Sequence, residues 1–395
     1  PGSFKPDGWK ISQGSAAAAL TWEKKKTVDV GLDFRLWDRF YGTLDWYQTV
    51  TDDVIWNAPT NYAATGQSTL AANSAKMRTR GFEFELGVDI IKTPDILWSF
   101  SVNGAHYKSI LTEVPPGTGS DALNGCWEAN PDGWSAAGTS TISNGAFYLR
   151  GVGKPYYNVY MYKYGGVDQA TGLPLISSTV TSKNIDALRA SHYVGELKEG
   201  NMVYTTNHSL ATRQEIGDAT PKLIGGFNTS FRWKDLDFSA TFAFQIGGKF
   251  FSNSYALYYY DDTTPGYLVS EDLRNNTWTA TNTSAKYPMM MYANPNGDSY
   301  TYGASIGSWA YTDMSLFDAS YLSVKNITVG YNFPQKWMDK IGIGGIRVYA
   351  SLDNMWLITS QSGIDPRMSL VGGIEVGAMA YPYMRTCSLG VNVTF

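Results

Sequence analysis

Phe227-Asn228-Thr229-Ser230-Phe231-Arg232-Trp233-Lys234-Asp235-Leu236-Asp237-Phe238-Ser239-Ala240-Thr241-Phe242-Ala243-Phe244 is the stretch that decides the fold. Before Lys234, Phe227, Thr229, Phe231 and Trp233 alternate with Asn228, Ser230 and Arg232. After Asp235, Leu236, Phe238, Ala240, Phe242 and Phe244 alternate with Asp237, Ser239 and Thr241. Successive side chains of a strand point to opposite faces, so this period of two gives one apolar and one polar face. A two-residue break between such runs makes a hairpin.

The same rhythm recurs in both directions along the chain. Val28, Val30, Leu32, Phe34 and Leu36 share a face, as do Phe82, Phe84, Leu86, Val88 and Ile90. Trp98, Phe100 and Val102 form a shorter run; Ile346, Val348, Ala350 and Leu352 form another. Cys387, Leu389, Val391, Val393 and Phe395 close the chain. No charged residue falls on these apolar faces, and many fall on the other side. One face meets an oily phase and the other meets water. A soluble carbohydrate-binding β-sandwich shows the same alternation.

The connections separate the two readings. Trp37–Arg39, Lys92–Asp95 and Lys234–Asp235 are tight turns, and a short helix with Pro in its first turn is expected over 334–341. Every second connection is long: about 51–77, 110–219, 252–319 and 358–382. Short turns at one end and long loops at the other fit an outer-membrane barrel, with the short turns periplasmic. The expected strands are nine, over 21–36, 40–51, 78–91, 96–109, 221–234, 236–251, 320–333, 345–357 and 383–395. The shift of apolar phase after Val324 predicts a bulge near Lys325-Asn326.

Composition agrees and excludes. The chain has 395 residues, 17% charged against a usual value of about 25%. A net charge of −4 leaves no basic footprint for nucleic acid. Two Cys and three His argue against a disulfide framework or a histidine-rich centre. No apolar run is long enough for a membrane helix, which leaves a membrane β-barrel open. An odd strand count leaves two sheet edges and an uncovered oily face, so further strands are expected on another part of the protein. The chain opens Pro1-Gly2-Ser3-Phe4, as a mature product or an internal fragment would.

Leu20-Thr21-Trp22-Glu23-Lys24, Val30-Gly31-Leu32-Asp33-Phe34, Gly42-Thr43-Leu44-Asp45-Trp46-Tyr47, Arg80-Gly81-Phe82-Glu83-Phe84, Gly217-Asp218-Ala219-Thr220-Pro221-Lys222, Tyr321–Tyr331 and Gly363-Ile364-Asp365-Pro366 occur in order along the chain. Together they resemble the C-terminal part of the SusC-like (RagA-like) TonB-dependent outer-membrane transporters. The resemblance covers residues from about 17 to the end, outside the long loops. Ser323 stands where that family commonly has Arg.

The resemblance implies an all-β chain forming the C-terminal nine strands of a barrel of about 22 strands. It implies that residues 1–395 are barrel, with the plug and about thirteen early strands belonging to the N-terminal part of the same transporter. It further implies TonB-dependent import of an oligosaccharide or peptide, a SusD-like surface lipoprotein, contact with TonB through the plug region, outer-membrane lipid around the wall, and a Gram-negative outer-membrane location. No enzymatic activity follows. A passive porin-type barrel is the membrane alternative.

Candidate residues follow from chemistry and position. Aromatic faces with polar edges suit sugars and extended peptides. Trp127, Trp134, Tyr156, Tyr157, Tyr258, Tyr259, Trp278 and Trp309 in the long loops are therefore the candidate substrate contacts, against roles in loop packing or an interfacial girdle. Glu83, Glu85, Asp237 and Arg347 lie on the polar face and would line the lumen. Paired acids also occur in glycoside hydrolases, but a hydrated lumen explains Glu83 and Glu85 more simply. Gly151-Val152-Gly153-Lys154 lacks the spacing and the Ser or Thr of a phosphate loop. No G-x-S-x-G elbow accompanies His106, His192 or His208. No cofactor or metal is expected, apart from Ca²⁺ in the loops, as at Asp52-Asp53 or Asp261-Asp262, or on the partner lipoprotein. Phe395 reads as the terminal aromatic assembly signal of an outer-membrane barrel, and Cys387 as a small apolar residue facing lipid.

Overall fold

The computed structural model describes residues 3–5, 8–10, 20–59, 69–115, 127–129, 148–259, 270–289, 312–369, 372–375 and 381–395. Nine long strands form one sheet: β1 Lys24–Leu36, β2 Phe40–Pro59, β3 Thr69–Lys92, β4 Ile96–Glu113, β5 Leu223–Trp233, β6 Leu236–Ile246, β7 Tyr321–Asn332, β8 Gly345–Thr359 and β9 Thr386–Thr394. Each pairs antiparallel with its neighbours in sequence, in the order β1 to β9. In the β5–β6 hairpin Trp233 pairs with Leu236 and Phe227 with Phe242, so the two apolar rows coincide. The Phe227 and Phe242 rings stack with centroids 4.4 Å apart.

The tight turns use left-handed backbone. Trp37 and Asp38 have φ of 54° and 53°, and the Arg39 N–H donates to the Leu36 carbonyl. Helix α1, Gln335–Ile341, follows Pro334 between β7 and β8. Gly342, at φ 67°, ends it in the left-handed conformation that glycine accepts without a Cβ penalty. The bulge sits at Lys325: Thr241 pairs with Asn326, but Phe242 pairs with Val324. The extra residue restores the apolar phase of β7.

Several boundaries differ from the sequence reading. β2 and β3 continue to Pro59 and from Thr69, so most of the segment expected as a loop at 51–77 is paired ladder. The expected strand 236–251 stops at Ile246, because Gly247 and Gly248 turn the chain at φ 71° and 84°. Lys249–Phe251 then pairs with Leu316–Asp318 instead. The stretch 110–219 begins as the end of β4 and continues into two small sheets. One orders strands 214–218, 158–161, 148–150 and 127–129; the other orders 164–167, 174–179, 202–205 and 193–194. These strands are short and several are buried on both faces, so they lack the alternation that marks the long ones.

The buried core lies in the loops rather than in the sheet. Tyr148, Val159, Met161, Ile176, Phe251, Leu273, Tyr287 and Ile374 pack into one cluster drawn from three separate long connections. The outward apolar row of the sheet stays open, with Leu389 87% and Val30 62% exposed. Phe395 is 96% exposed, and Cys387 is free and exposed on the outward face. No helix among the described residues is long and apolar enough to cross a membrane.

Candidate functional site

The polar face of the sheet is a continuous hydrogen-bonding wall. Asp237 on β6 accepts from Arg347 on β8, at 2.6 Å from Nη2 and 3.3 Å from Nε. The pair reaches across Gly330 of β7, where a Cβ would lie 2.6 Å from the carboxylate Oδ2. A glycine there lets a bidentate ion pair clamp three strands. Asn326 at the bulge donates to Asp353 at 2.7 Å and to Ser351 at 2.8 Å. Glu83 and Glu85 share this face on β3, opposite Asp45 and Thr43 of β2. Both are exposed to the open wall. Four polar-face residues singled out in the sequence thus fall into one ion pair and one open acidic pair.

The loop body sits at the long-loop end of this wall. Arg150, buried, places its guanidinium 3.9 Å from the Tyr156 ring centroid and 5.9 Å from that of Trp56 on β2. Tyr156 meets Tyr157 edge-on at 5.0 Å, and Tyr157 meets Tyr148 at 5.6 Å. The Tyr148 hydroxyl donates to the Gly372 carbonyl, tying together loops far apart in sequence. Glu375 is buried and accepts from the Ser252 and Ser254 hydroxyls at 2.9 and 2.8 Å and from the Ser254 N–H at 2.8 Å. Arg367 forks onto Asp365 and donates to Ser323 of β7 at 2.9 Å. The Gly363–Pro366 block is thereby fixed to the wall, at the position where the resemblance would have placed Arg in β7.

Wall and loop body enclose a cavity of about 260 Å³ at the mouth of the polar face. The wall contributes Tyr107, Ile224 and Gln245; the loops contribute Tyr157, Lys249, Ser369 and the Gly372-Gly373 backbone. Residues with aromatic, amide and cationic side chains thus line it together with glycine backbone. That set can hold a polar ligand with flat apolar faces through stacking and directed hydrogen bonds. Electrostatics inside the body are specific. Burial pushes the Asp313 carboxyl up, although the Tyr164 N–H donates to it at 2.8 Å. Burial also acts on Glu215, yet the Lys154 ammonium at 2.7 Å and the Asn158 amide hold its carboxyl below the usual range.

Of the aromatic candidates, Tyr157 lines the cavity, and Tyr156 packs behind it. Trp278 donates its indole N–H to the Gln169 carbonyl at 3.0 Å and packs on Gly172, a contact between two loops. The Trp127 backbone pairs with Arg150, and Tyr258 and Tyr259 fall in the helix Asn253–Tyr259; these three side chains lie outside the described residues. Trp134, Trp309 and Asp261-Asp262 lie outside them altogether. Asp52 and Asp53 bind Lys26, Lys76 and Lys24 at 2.8–3.1 Å. Among the described residues no group of three or more His, Cys, Asp or Glu gathers to hold a metal. Sequence reasoning missed Tyr107, Gln245 and Lys249. The first two continue the polar phase of β4 and β6, which is a legible signal. Lys249 is placed by the Gly247-Gly248 turn, which the periodicity does not announce.

A sheet with an open apolar outer face, a polar inner face and a folded loop body at one end is the wall of a membrane β-barrel. Comparisons with known proteins show what the chain is similar to. The family described as TonB dependent receptor-like, beta-barrel matches residues 3–181. TonB-dependent receptor P3 of Formosa agariphila is 27% identical over 387 residues, 95% of this chain and 34% of that protein. TonB-dependent receptor SusC of Bacteroides thetaiotaomicron is 25% identical over 379 residues, 95% of this chain and 32% of that protein. The solved RagAB peptide transporter shares the fold, with a TM-score of 0.72 at 23% identity, covering 100% of this chain and 38% of that one. Residues 3–181 thus match a TonB-dependent receptor β-barrel, and 95% of the chain is similar in sequence to TonB-dependent receptors that include SusC. The chain spans about a third of the length of the curated relatives it matches. Those relatives are named as receptors, not enzymes.

Proposed function

We propose that the receptor containing this chain imports an oligosaccharide or a peptide across a Gram-negative outer membrane, powered by TonB. A SusD-like surface lipoprotein delivers the substrate to the long-loop end, which faces the cell exterior. The remaining strands and the plug of the same transporter close the barrel, and lipid surrounds the apolar face. This chain supplies wall and loop surface; nothing in the proposal breaks a bond. The observation that carries the reading is the cavity at the mouth of the lumen, where Tyr107, Tyr157, Gln245 and Lys249 converge from wall and loops. The fold likeness to a peptide transporter supports the peptide branch, and the aromatic lining suits either class.

The test is uptake by cells expressing the full receptor and its lipoprotein, supplied with defined oligosaccharides or peptides. Uptake that stops when TonB is disabled is the expected result. Uptake that continues without TonB points to a passive porin, and a receptor that stays monodisperse without detergent points to a soluble sandwich. Tyr157→Ala together with Lys249→Ala should weaken substrate binding about tenfold or more, by loss of one stacking face and one charged hydrogen bond.

A further inference from the structure

We propose that the outer face of β1–β4 carries a binding site for the phosphorylated headgroup of an anionic lipid. The proposal rests on the reading that this face meets lipid. On β3 the outward apolar row Phe82, Phe84, Leu86, Val88 and Ile90 covers about 26 Å, near the height of a barrel's apolar band. The next outward positions toward the long-loop end are Arg80, Arg78 and Lys76. On β4 the corresponding position after His106 is Lys108, and on β1 Val28 is followed by Lys26 and Lys24. A basic collar therefore begins where the oily belt stops.

The faces are fixed by contacts. Thr79 bonds Ser109, and Thr27 bonds Thr49, on the lumen side, which sends Arg78, Arg80, Lys108 and Lys26 outward. The acids of the collar are already engaged. Asp53 holds Lys24; Asp52 holds Lys26 and Lys76; Glu113 also holds Lys76. Arg80 donates to the neutral amide of Gln48 at 2.6 Å. Arg78 and Lys108 form no ion pair among the described residues. Arg80 and Lys108 stand directly opposite each other across the β3–β4 ladder. Like charges at that spacing, with Cβ atoms about 5 Å apart, repel unless an anion lies between them. Arg78, two residues along, adds a second guanidinium suited to phosphate oxygens. Three uncompensated cations at the boundary between acyl chains and water match a headgroup phosphate whose tails lie on the belt below. A lumen substrate cannot reach this face.

The experiment uses full-length receptor purified in detergent, with lipid A as the phosphorylated probe and native mass spectrometry as the readout. Dephosphorylated lipid A and inorganic phosphate serve as controls. Wild type should retain lipid A and not the dephosphorylated form. Each cation near an anionic surface contributes about a factor of five, so the variant Arg78→Gln/Arg80→Gln/Lys108→Gln should bind on the order of 100-fold more weakly. Lys108→Gln alone should lose about fivefold, and covers the case in which the triple variant fails to assemble. Undiminished retention by an assembled variant overturns the proposal and leaves the barrel reading standing. Full competition by inorganic phosphate also overturns it, in favour of a free-anion site. A wild-type receptor absent from the outer-membrane fraction sinks the barrel reading itself, and the lipid site with it.

Discussion

Replacing Gly81 should expose a packing rule of the lumen wall. Gly81 on β3 pairs with Tyr47 on β2, and the Tyr47 ring lies across the place a Cβ would occupy. The Tyr47 ring atoms Cζ and Cε1 would lie within 2.5 Å of that Cβ, so the ring covers the glycine. Tyr41 over Gly87 and Tyr349 over Gly390 repeat the arrangement. In Gly81→Ala the ring has to swing off its rotamer, at about 0.5–1.5 kcal/mol, and loses a cross-strand contact worth about 0.2–1 kcal/mol. The smaller entropy of the unfolded alanine chain returns about 0.4–1 kcal/mol. The net is a destabilisation of about 1 kcal/mol. Tyr47→Ser alone loses the contact and leaves Gly81 bare. With the ring gone the new methyl has room, so the double variant should be no less stable than Tyr47→Ser, with a coupling of about 1 kcal/mol. The assay is equilibrium urea unfolding of the full receptor refolded into lipid vesicles, followed by tryptophan fluorescence. Strict additivity, within about 0.3 kcal/mol, would refute the claim that the ring is what keeps the position glycine.

Phe242 belongs to the apolar row of β6 and Thr241, beside it, to the polar row, so the two faces can be compared at one depth. Phe242→Arg should cost about 2–4 kcal/mol in vesicle refolding and Thr241→Arg much less; equal costs would contradict the assigned faces. Glu375→Ala should strip three accepted hydrogen bonds from the start of the helix Asn253–Tyr259, at about 3 kcal/mol locally, read as faster hydrogen exchange over Ser252–Ala256. Asp313→Asn keeps an acceptor for the Tyr164 N–H while removing a carboxyl whose ionisation burial opposes; exchange around Tyr164 should slow at neutral pH, and the difference should fade as pH falls and Asp313 protonates. Glu215 has the opposite sign. Its lowered folded value gives stability present above the unfolded carboxylate range and lost as pH falls through it, and Glu215→Gln should remove that acid-sensitive part.

The wall was legible because its two faces meet different solvents. Each residue from Phe82 to Ile90 is sorted by a single question, oil or water, and the answer alternates with the backbone. The bulge at Lys325 was legible for the same reason: one extra residue shifts the phase and the sequence shows it. The loop body was not. Strand 174–179 is buried at Pro174, Leu175, Ile176, Ser177 and Ser178 in succession, so its sequence carries no period. Its hydroxyls are satisfied by distant partners, Ser178 by the Leu210 carbonyl and Ser177 by that of Thr212. Such pairings depend on tertiary placement. The aromatic candidates show the same limit. Composition places Tyr157 and Trp278 alike in a loop, and only packing shows that one lines the cavity while the other binds Gln169.

The division of labour between wall and loops bears on how a substrate surface stays in shape. The sheet contributes little buried apolar area of its own, so its cohesion comes from ladder hydrogen bonds and from whatever covers its outer face. The loops hold the core. Tyr148, Ile176, Phe251, Leu273 and Ile374 come from three connections and pack as a small domain does. Three ties then fasten this body to the wall or across itself: Arg367 to Ser323, Arg150 to Trp56, and Glu375 to Ser252 and Ser254. A ligand entering the cavity meets Tyr157, Lys249 and Gly372 already positioned by that core. Little ordering cost then falls on binding. If the receptor imports a substrate as proposed, a motion that admits it would break these ties and move the body as a unit.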